Sequence, residues 1–238
     1  MRETNFLGDR SSMRAASHAG ASAHWERMWS AGLPKGAAFD VGAVSQTLAA
    51  ELARKNHAPR RGMTALVPGA GRGYDALALA LAGFDTVVSC DLAPTACDAA
   101  RSELRDASSA GHADAAAKVR VECSDFFELD GQYDLIWDCT FLCALEPSVR
   151  DRWAAQQRAL LSKSGTLLTC VFPICEKSGG PPFAMSVPLV RSLLEPTGLV
   201  AMEVRGPLPS EEQHVPGAFS KGQADTALIT WRHSCDLE

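Results

Sequence analysis

The stretch Leu66-Val-Pro-Gly-Ala-Gly-Arg-Gly-Tyr-Asp75 decides the fold. In it an apolar, strand-like run ends in Gly69, Gly71 and Gly73 and passes directly into a helical pattern. Glycines at such a turn let the backbone bend tightly and approach a ligand at the carboxyl end of a strand, beside a helix N-terminus. The third glycine of the dinucleotide fingerprint G-x-G-x-x-G would be residue 74, which is Tyr74. The stretch therefore favours a nucleoside site over a pyrophosphate site.

Short apolar runs alternate with helical patterns along the rest of the chain. Such alternation indicates βαβ units around a parallel sheet that is covered on both faces. The last two predicted strands follow each other without a helix, so at least one of them runs antiparallel. The sequence predicts an α/β fold with a doubly wound, seven-stranded, mostly parallel sheet. The predicted strands are Thr64–Pro68, Thr86–Cys90, Val119–Cys123, Tyr133–Asp138, Thr166–Phe172, Leu199–Val204 and Thr226–Trp231, and the predicted helices are Val44–Ala53, Tyr74–Ala82, Pro94–Arg105, Pro147–Leu161 and Val187–Leu194.

The N-terminal region is predicted to form a tail and a lid. Residues 1–20 mix charged residues with Ser, Ala and Gly without periodicity, which is typical of a flexible tail. Trp25, Met28 and Trp29 stand at i, i+3 and i+4, the spacing of one helix face. This spacing predicts a short helix that packs on the core as a lid. We expect residues 21–238 to form a single domain, because a chain of 238 residues can fold around one core.

Composition argues against several classes of protein. Of the 238 residues, 46% are hydrophobic, and 23 Lys and Arg against 28 Asp and Glu give a net charge of −5. The basic residues form no run that would neutralise a nucleic-acid backbone. The longest apolar run, residues 76–82, is far shorter than the ~20 residues that cross a bilayer. We expect a cytoplasmic protein, a monomer or weak dimer, with no nucleic-acid or membrane partner.

The eight cysteines include no C-x-x-C pair, and most of them lie in apolar, strand-like runs. Cysteine in such runs behaves as a small buried hydrophobe. We therefore expect reduced thiols and no metal site.

Acidic residues follow two of the predicted strands. Asp91 ends the second strand, 22 residues after Gly69, where a carboxylate accepts hydrogen bonds from both hydroxyls of a ribose. Its alternative role is the N-cap of the helix that begins at Pro94. Asp125 follows the third strand, where it would accept from an adenine amino group while Phe126 packs on the ring. A surface acid in a loop is the alternative for Asp125.

The fourth strand ends in Asp138-Cys139-Thr140. Strand four of a doubly wound sheet ends beside the crevice where the strand order reverses, so its last residues face the reacting atoms. Acids and glycines at the carboxyl ends of four successive strands together indicate a nucleoside-binding α/β enzyme.

These features resemble a class I S-adenosylmethionine-dependent methyltransferase. More narrowly, the chain resembles the thiopurine methyltransferase superfamily, and the closest likeness is to its halide and thiol methyltransferase branch. The likeness spans roughly residues 24 to 231. The motifs that carry it are His24-Trp-Glu-Arg-Met-Trp29, Phe39-Asp-Val-Gly42, Leu66-Val-Pro-Gly-Ala-Gly71, Tyr133-Asp-Leu-Ile-Trp-Asp138, Phe141-Leu-Cys-Ala-Leu-Glu-Pro147 and Gly179-Gly-Pro-Pro-Phe183.

The resemblance implies S-adenosylmethionine as the cofactor and assigns residues to its parts. Trp25 and Trp29 would close a lid over the methionine end, and Asp138 with Cys139 would lie near the sulfonium and its acceptor. The other cofactor residues implied are Phe39, Gly69, Gly71, Gly73, Asp91 with Leu92 for the ribose, and Asp125 with Phe126 for the adenine. The substrate residues implied are Phe39, Cys139, Thr140 and Phe141.

The resemblance also implies the reaction, which is in-line displacement at the methyl group by a small soft nucleophile such as a thiol, bisulfide or halide ion. Such acceptors need little or no general base, because halide and bisulfide are already anions near neutral pH. The six histidines are predicted to be solvated. If the acceptor were a neutral thiol, His214 or Glu211 in the late loop could assist its deprotonation. The branch commonly has tyrosine where this chain has Cys139, and we interpret the smaller residue as enlarging the acceptor pocket.

Three alternatives stay open at this point. The acceptor could be a larger aromatic or heterocyclic thiol. The chain could be a nucleotide-binding oxidoreductase on the same fold, against which Tyr74 and the tryptophan lid argue. It could also be a methyltransferase-like binding protein that has lost turnover.

Overall fold

A computed structural model describes residues 22–54, 57–220 and 222–234 of the chain. The predicted tail, residues 1–20, lies outside the described residues. The strands are β1 Thr64–Pro68, β2 Thr86–Asp91, β3 Val119–Cys123, β4 Tyr133–Cys139, β5 Leu161–Ile174, β6 Leu199–Arg205 and β7 Asp225–His233. The helices are α1 (residues 22–30), α2 Gln46–Arg54, α3 Tyr74–Ala82, α4 Pro94–Ala107, α5 Ala113–Ala116, α6 Arg150–Leu160 and α7 Val187–Leu194.

All seven predicted strands are present and form one sheet with the order β3-β2-β1-β4-β5-β7-β6. Strands β1 to β5 pair parallel with one another, whereas β7 pairs antiparallel with both β5 and β6. The antiparallel strand predicted at the end of the chain is therefore confirmed as β7. Because β1 lies between β2 and β4, the strand order reverses there, and a ligand crevice is expected above the carboxyl ends of β1 and β4.

Both faces of the sheet are covered, and each face has its own core. Ile136 of β4 packs with Trp153 of α6 on one face. Its neighbour Trp137 packs with Leu79 of α3 on the other. Side chains alternate between the faces along a strand, so consecutive residues of β4 enter different cores. This alternation decides where the last two residues of β4 point.

The differences from the predicted elements are at element ends. Strand β5 is longer than predicted because it pairs along β7 to Ile174 and begins beside Tyr133. Helix α4 runs on into a π-turn, Ser108–His112, and then into the unpredicted α5. Gly111 adopts φ 98° inside that turn, so the continuous helix breaks there. Helix α6 starts at Arg150, after a 3-10 turn at Pro147–Val149.

Within the part of the chain that the structure describes, there is no helix with the length and apolar character needed to span a membrane.

Candidate active site

The glycine loop lies between β1 and α3, and two aromatic side chains from distant segments pack directly against it. Gly69 and Gly71 have φ of 61° and 53°, in the left-handed region. A Cβ at Gly69 would stand 2.7 Å from Cδ2 of Phe141, and one at Gly71 would stand 3.2 Å from Cζ2 of Trp29. Both positions therefore require glycine, for conformation and for close approach.

Asp91 lies at the end of β2, beside the glycine loop. One carboxylate oxygen accepts from the backbone N–H of Gly71 and the other from that of Ala93, each at 2.9 Å. Burial raises the pKa of Asp91, and the hydrogen bonds from the backbone oppose that rise. Since each carboxylate oxygen has a second lone pair, Asp91 can support the start of α4 and still accept from a ribose hydroxyl.

The helix predicted to act as a lid is present as α1, and its aromatic residues form a cluster at the start of α4. Trp25 and Trp29 each lie edge-on to Phe39, with ring centroids 5.6 Å apart in both pairs. Trp29 is 5% exposed and packs with Ala93 and Ala96. A water-excluding aromatic wall therefore stands beside Asp91 and the glycine loop.

Polar contacts hold this lid in place. The Glu26 carboxylate accepts from the backbone N–H of Thr95 at 3.0 Å. Arg72, in the glycine loop, donates to Asp40 at 2.7 Å and lies over the Trp29 ring, 5.4 Å from its centroid. The lid is thus tied to α4 by one carboxylate and to the glycine loop by one guanidinium.

Asp125 and Phe126 stand at the start of a 3-10 turn after β3. Asp125 accepts from the backbone N–H of Phe127 at 3.0 Å. Phe126 is 3% exposed and lies edge-on to Phe141, with centroids 5.0 Å apart. Phe141 therefore bridges the glycine loop and the segment predicted to meet the adenine.

Asp138 and Cys139 end β4 but point to opposite faces, so the structure does not bring their side chains together. Asp138 faces α6, where its carboxylate accepts from Trp153 Nε1 and Gln157 Nε2, both at 2.8 Å. Its other oxygen accepts from the backbone N–H of Leu142 at 3.2 Å. Burial raises its pKa to about 6. These three donors make Asp138 a structural link between β4, α6 and the following turn.

Cys139 faces the other core. Its side chain contacts Ser45 and His214 there, and the sequence predicted neither of them to lie beside it. His214 Nδ1 lies 3.5 Å from Cys139 Sγ and 3.1 Å from Ser45 Oγ. Ser45 is positioned by its backbone N–H, which donates to Asp75 at 2.8 Å. Burial raises the pKa of Cys139 well above its usual value, so its thiol stays protonated.

His214 corrects the prediction that the histidines are solvated. Its side chain is buried, with the residue 4% exposed, and His233 is buried as well. Burial lowers the pKa of His214 to about 4, so its imidazole is neutral near pH 7. The ring lies edge-on to Phe172, with centroids 5.1 Å apart. This histidine is therefore enclosed by protein at one end of the sheet and is not solvated.

Thr140 follows Cys139 with φ 60°, one of two described non-glycine residues with positive φ. Its hydroxyl donates to the carbonyl of Cys139 at 2.6 Å. Such a conformation costs about 1–3 kcal/mol and is found preferentially at functional sites. The strained turn directs the chain from the end of β4 back to Phe141, which packs against the glycine loop.

Comparison with known proteins identifies the family. The family model for thiopurine S-methyltransferase (TPMT) matches residues 20–222. The chain belongs to the thiopurine S-methyltransferase family. The chain is thus an S-adenosylmethionine-dependent methyltransferase, as the resemblance implied, and the oxidoreductase alternative is excluded.

Two plant relatives of this family member match most of its length. Probable thiol methyltransferase 2 of Arabidopsis thaliana is 36% identical over 185 residues, which are 77% of this chain and 76% of that protein. Thiocyanate methyltransferase 1 of Brassica oleracea is 31% identical over 76% of this chain and 75% of that protein.

Solved structures share the fold of this methyltransferase at low identity. The glycopeptide N-methyltransferase MtfA, complexed with S-adenosyl-L-methionine, matches 82% of this chain and 97% of its own with a TM-score of 0.60 and 17% identity. A TehB-like methyltransferase from Corynebacterium glutamicum matches 92% of this chain and 99% of its own with a TM-score of 0.56 and 16% identity. The predicted α/β methyltransferase fold is confirmed.

The glycine loop and the end of β2 in this methyltransferase fit its cofactor, S-adenosylmethionine. Gly69 and Gly71 keep the loop free of side chains where Phe141 and Trp29 close on it. Each carboxylate oxygen of Asp91, at the end of β2, accepts one backbone N–H bond and has a second lone pair, which is the acceptor that a ribose hydroxyl requires. The roles of these residues toward the cofactor stay predictions, but the fold brings Trp25, Trp29, Phe39, Gly69, Gly71, Gly73, Asp91, Leu92, Phe126 and Phe141 to neighbouring segments at one end of the sheet.

Proposed function

We propose that this methyltransferase transfers the methyl group of S-adenosylmethionine to a small soft nucleophile, a thiol, thiocyanate, bisulfide or halide ion. The names of the two plant relatives support a thiol or thiocyanate acceptor. When bound, S-adenosylmethionine supplies a methyl group on a positively charged sulfonium. The rest of the work falls to the chain, which must exclude water, hold the two reactants and accommodate the negative charge of the acceptor.

One observation favours a small acceptor over a large one. The loop between β6 and β7, called the late loop here, packs against the loop between α1 and α2, called the N-terminal loop. Ala218 donates its backbone N–H to the carbonyl of Ala38 at 2.6 Å. Gly217 lies so close to Gly36 that a Cβ at Gly217 would overlap the carbonyl oxygen of Gly36. His214, on the same late loop, contacts Cys139 at the end of β4. The two loops therefore meet close to the proposed acceptor side, and their contact leaves little room for an aromatic heterocycle.

The neutral character of the acceptor side fits a nucleophile that needs no strong base. Cys139 is a protonated thiol, and His214, with a pKa of about 4, is a weak base near pH 7. Halide, thiocyanate and bisulfide are already anions there, whereas an ordinary thiol with a pKa of about 8.5 is a few per cent ionised. A site that replaces bulk water with aromatic walls and neutral dipoles speeds the attack of such an anion.

Positioning supplies the remaining advantage. Trp29 and Phe141 place aromatic side chains against the glycine loop, and Phe172 places one against His214. Reacting atoms held about 3–3.5 Å apart and in line make the displacement effectively unimolecular. Asp138 acts indirectly in this proposal, because its hydrogen bonds to Trp153 and Gln157 fix the end of β4.

The test is methyl transfer from labelled S-adenosylmethionine to a panel of thiocyanate, iodide, bisulfide, a short aliphatic thiol and an aromatic thiol, with volatile products trapped separately. We expect the small anions and the aliphatic thiol to be methylated with higher kcat/KM than the aromatic thiol. Turnover of the aromatic thiol alone would replace this proposal with the larger acceptor. Cofactor binding without any turnover would favour the binding-protein alternative.

The proposed cytoplasmic location and the monomeric or weakly dimeric state rest on composition alone and remain predictions.

A further inference from the structure

A buried polar cluster made of Ser45, Cys139 and His214 lies on the acceptor side of β4. Besides the two contacts of His214 Nδ1, Cys139 Sγ lies 3.9 Å from Ser45 Oγ. The three residues are 1%, 7% and 4% exposed, respectively. They come from the start of α2, the end of β4 and the late loop, so only the tertiary fold brings them together.

Counting hydrogens in this cluster favours one tautomer of His214. The cluster carries one thiol hydrogen, one hydroxyl hydrogen and, on a neutral imidazole, one ring hydrogen. The thiol can donate to Ser45 Oγ, and the hydroxyl can then donate to His214 Nδ1. This arrangement gives both hydrogens an acceptor and places the ring hydrogen on Nε2. With the opposite tautomer, Nδ1–H would donate to Ser45 Oγ, and the Ser45 hydroxyl would be left with Cys139 Sγ, a weak acceptor 3.9 Å away.

His214 Nε2 is then a buried donor without a partner. Among residues 22–54, 57–220 and 222–234, no atom accepts a hydrogen bond from it. A buried donor left unpaired is costly, and most such groups in native proteins have a protein, water or ligand partner. An unused N–H on the acceptor side of a methyltransferase therefore points to a ligand.

The late loop holds this donor in a fixed direction. The backbone N–H of His214 donates to Thr226 Oγ1 at 3.1 Å. The carbonyl of the nearby Glu212 accepts from Thr47 Oγ1 at 2.6 Å, and its carboxylate pairs with both Arg54 and Arg205. A donor whose direction is set before binding loses little entropy when a ligand arrives.

We propose that the Nε2–H of His214 donates a hydrogen bond to the methyl acceptor and that the acceptor it selects is a soft monoanion, such as thiocyanate, bisulfide or a thiolate. This inference rests on the proposed function for the identity of the site, but anion binding itself does not require methyl transfer. A neutral donor replaces part of the water that an anion loses on entry. Unlike the cation of a lysine or arginine, a neutral donor forms no ion pair with the anion. An ion pair would weaken the attack of the anion on the methyl group.

The ionisable groups near the cluster are already hydrogen-bonded or paired. Asp75 accepts from the Ser45 backbone N–H at 2.8 Å and from Trp137 Nε1 at 2.7 Å, and burial raises its pKa. Burial alone accounts for the lowered pKa of His214, with no charged group contributing to it. The two cations of the neighbouring charge cluster, Arg54 and Arg205, are paired with Glu212, and Arg205 also with Glu51. The hydrogen-bond donor offered to the acceptor is therefore an uncharged one.

Three variants of His214 separate the donor from the ring. His214→Phe keeps a flat ring against Phe172 but removes both nitrogens. His214→Gln can place an amide donor near the position of Nε2, whereas His214→Asn reaches only the position of Nδ1. The readout is the Kd of thiocyanate for protein saturated with S-adenosylhomocysteine, measured by calorimetry with sulfate, which is not a soft monoanion, as the balancing salt.

We expect His214→Phe and His214→Asn to weaken thiocyanate binding by roughly 10- to 100-fold, the effect of losing a hydrogen bond to a charged group, and His214→Gln to keep most of the affinity. The affinity for S-adenosylhomocysteine should be unchanged in all three, which also shows that they fold. Equal thiocyanate affinity in His214→Phe and wild type, or equal weakening in all three variants, would overturn the proposal.

A measurement on the wild-type protein covers the case in which a variant does not fold. Long-range ¹H–¹⁵N spectra should show His214 as the Nε2–H tautomer, with an Nε2 shift that moves when thiocyanate is added. An Nδ1–H tautomer, or no movement, would refute the inference. If His214-dependent binding is found but no acceptor of the panel is methylated, the proposed function fails and the anion site stands.

Discussion

The cofactor side and the acceptor side of this site are built in different ways. The cofactor side is made largely of backbone and short-range contacts, in which a glycine loop follows β1 and Asp91 accepts from backbone N–H groups of Gly71 and Ala93. The side proposed to hold the acceptor is made of side chains from three distant segments, Ser45, Cys139 and His214. Single side-chain substitutions can therefore alter the proposed acceptor side, whereas the cofactor side depends largely on the backbone.

The largest expected effect concerns the pH dependence of stability and compares His214, which packs against one face of β4, with Asp138, which points from the other face. His214 has a pKa of about 4 in the folded protein against an ordinary value of 6.5, so the unfolded chain binds more protons between these values and stability falls as the pH drops. Relative to wild type, His214→Phe should therefore gain about 3 kcal/mol in free energy of unfolding between pH 7 and pH 4. Denaturant unfolding at several pH values measures this difference.

Asp138→Asn is the matched opposite. The raised pKa of Asp138, about 6 against 3.8, contributes stability that is present below pH 3.8 and is lost as the pH rises through 6. Its replacement should thus cost more at pH 4 than at pH 7, by about 2 kcal/mol. Parallel pH profiles for the two variants would contradict the lowered pKa of His214 and the raised pKa of Asp138.

Asp91→Ala should damage the cofactor side alone. It removes charge-assisted hydrogen bonds worth about 1.5–3 kcal/mol, so the affinity for S-adenosylhomocysteine should fall roughly 10- to 150-fold. Calorimetry checks this, with Asp91→Asn as the control that keeps one acceptor oxygen. Unaltered affinity would show that Asp91 only supports the start of α4, as its bond from Ala93 already does.

Gly217→Ala should damage the acceptor side alone. Its Cβ would overlap the Gly36 carbonyl, and overpacking of this kind costs about 1–3 kcal/mol. Because the two loops must separate, we expect kcat/KM for a small anion to fall by roughly tenfold while an aromatic thiol gains relative to it. The ratio of the two kcat/KM values is the measurement. A constant ratio with unchanged cofactor affinity would remove loop closure as the reason for small acceptors.

Cys139→Ser should have the smallest effect. The hydroxyl keeps the size and one hydrogen of the thiol, and the raised pKa of Cys139 argues against a thiolate nucleophile. We expect kcat/KM for the small anions to change by less than about threefold, within 1 kcal/mol. Abolished turnover in a folded variant would mean that the thiol takes part in the chemistry.

The same contrast explains what the sequence could predict. The strands and the glycine loop follow from local periodicity and turn chemistry, which need no tertiary contact. Asp91 follows from its distance to Gly69. Trp29 is predicted from helix spacing, and the structure places it against Gly71, where the resemblance expects a lid.

The proposed acceptor side was harder to predict from the sequence because its contacts join residues that are far apart along the chain. Ser45 and His214 are 169 residues apart in sequence, and nothing local marks either as a partner of Cys139. Asp138 is an instructive case, since strand alternation indicates that it and Cys139 face opposite ways. Helix α6 covers the Asp138 face of β4, because Trp153 and Gln157 donate to the Asp138 carboxylate. The proposed acceptor side is therefore the Cys139 face, and the packing of α6 could not be predicted from local sequence.

A competition in one reaction tests the central claim most directly. Wild-type protein would receive labelled S-adenosylmethionine with equal concentrations of thiocyanate and an aromatic thiol, and the label in each methylated product would be counted. A small soft anion as the natural kind of acceptor predicts that most of the label appears in methyl thiocyanate. Label found mainly in the aromatic thioether would contradict it.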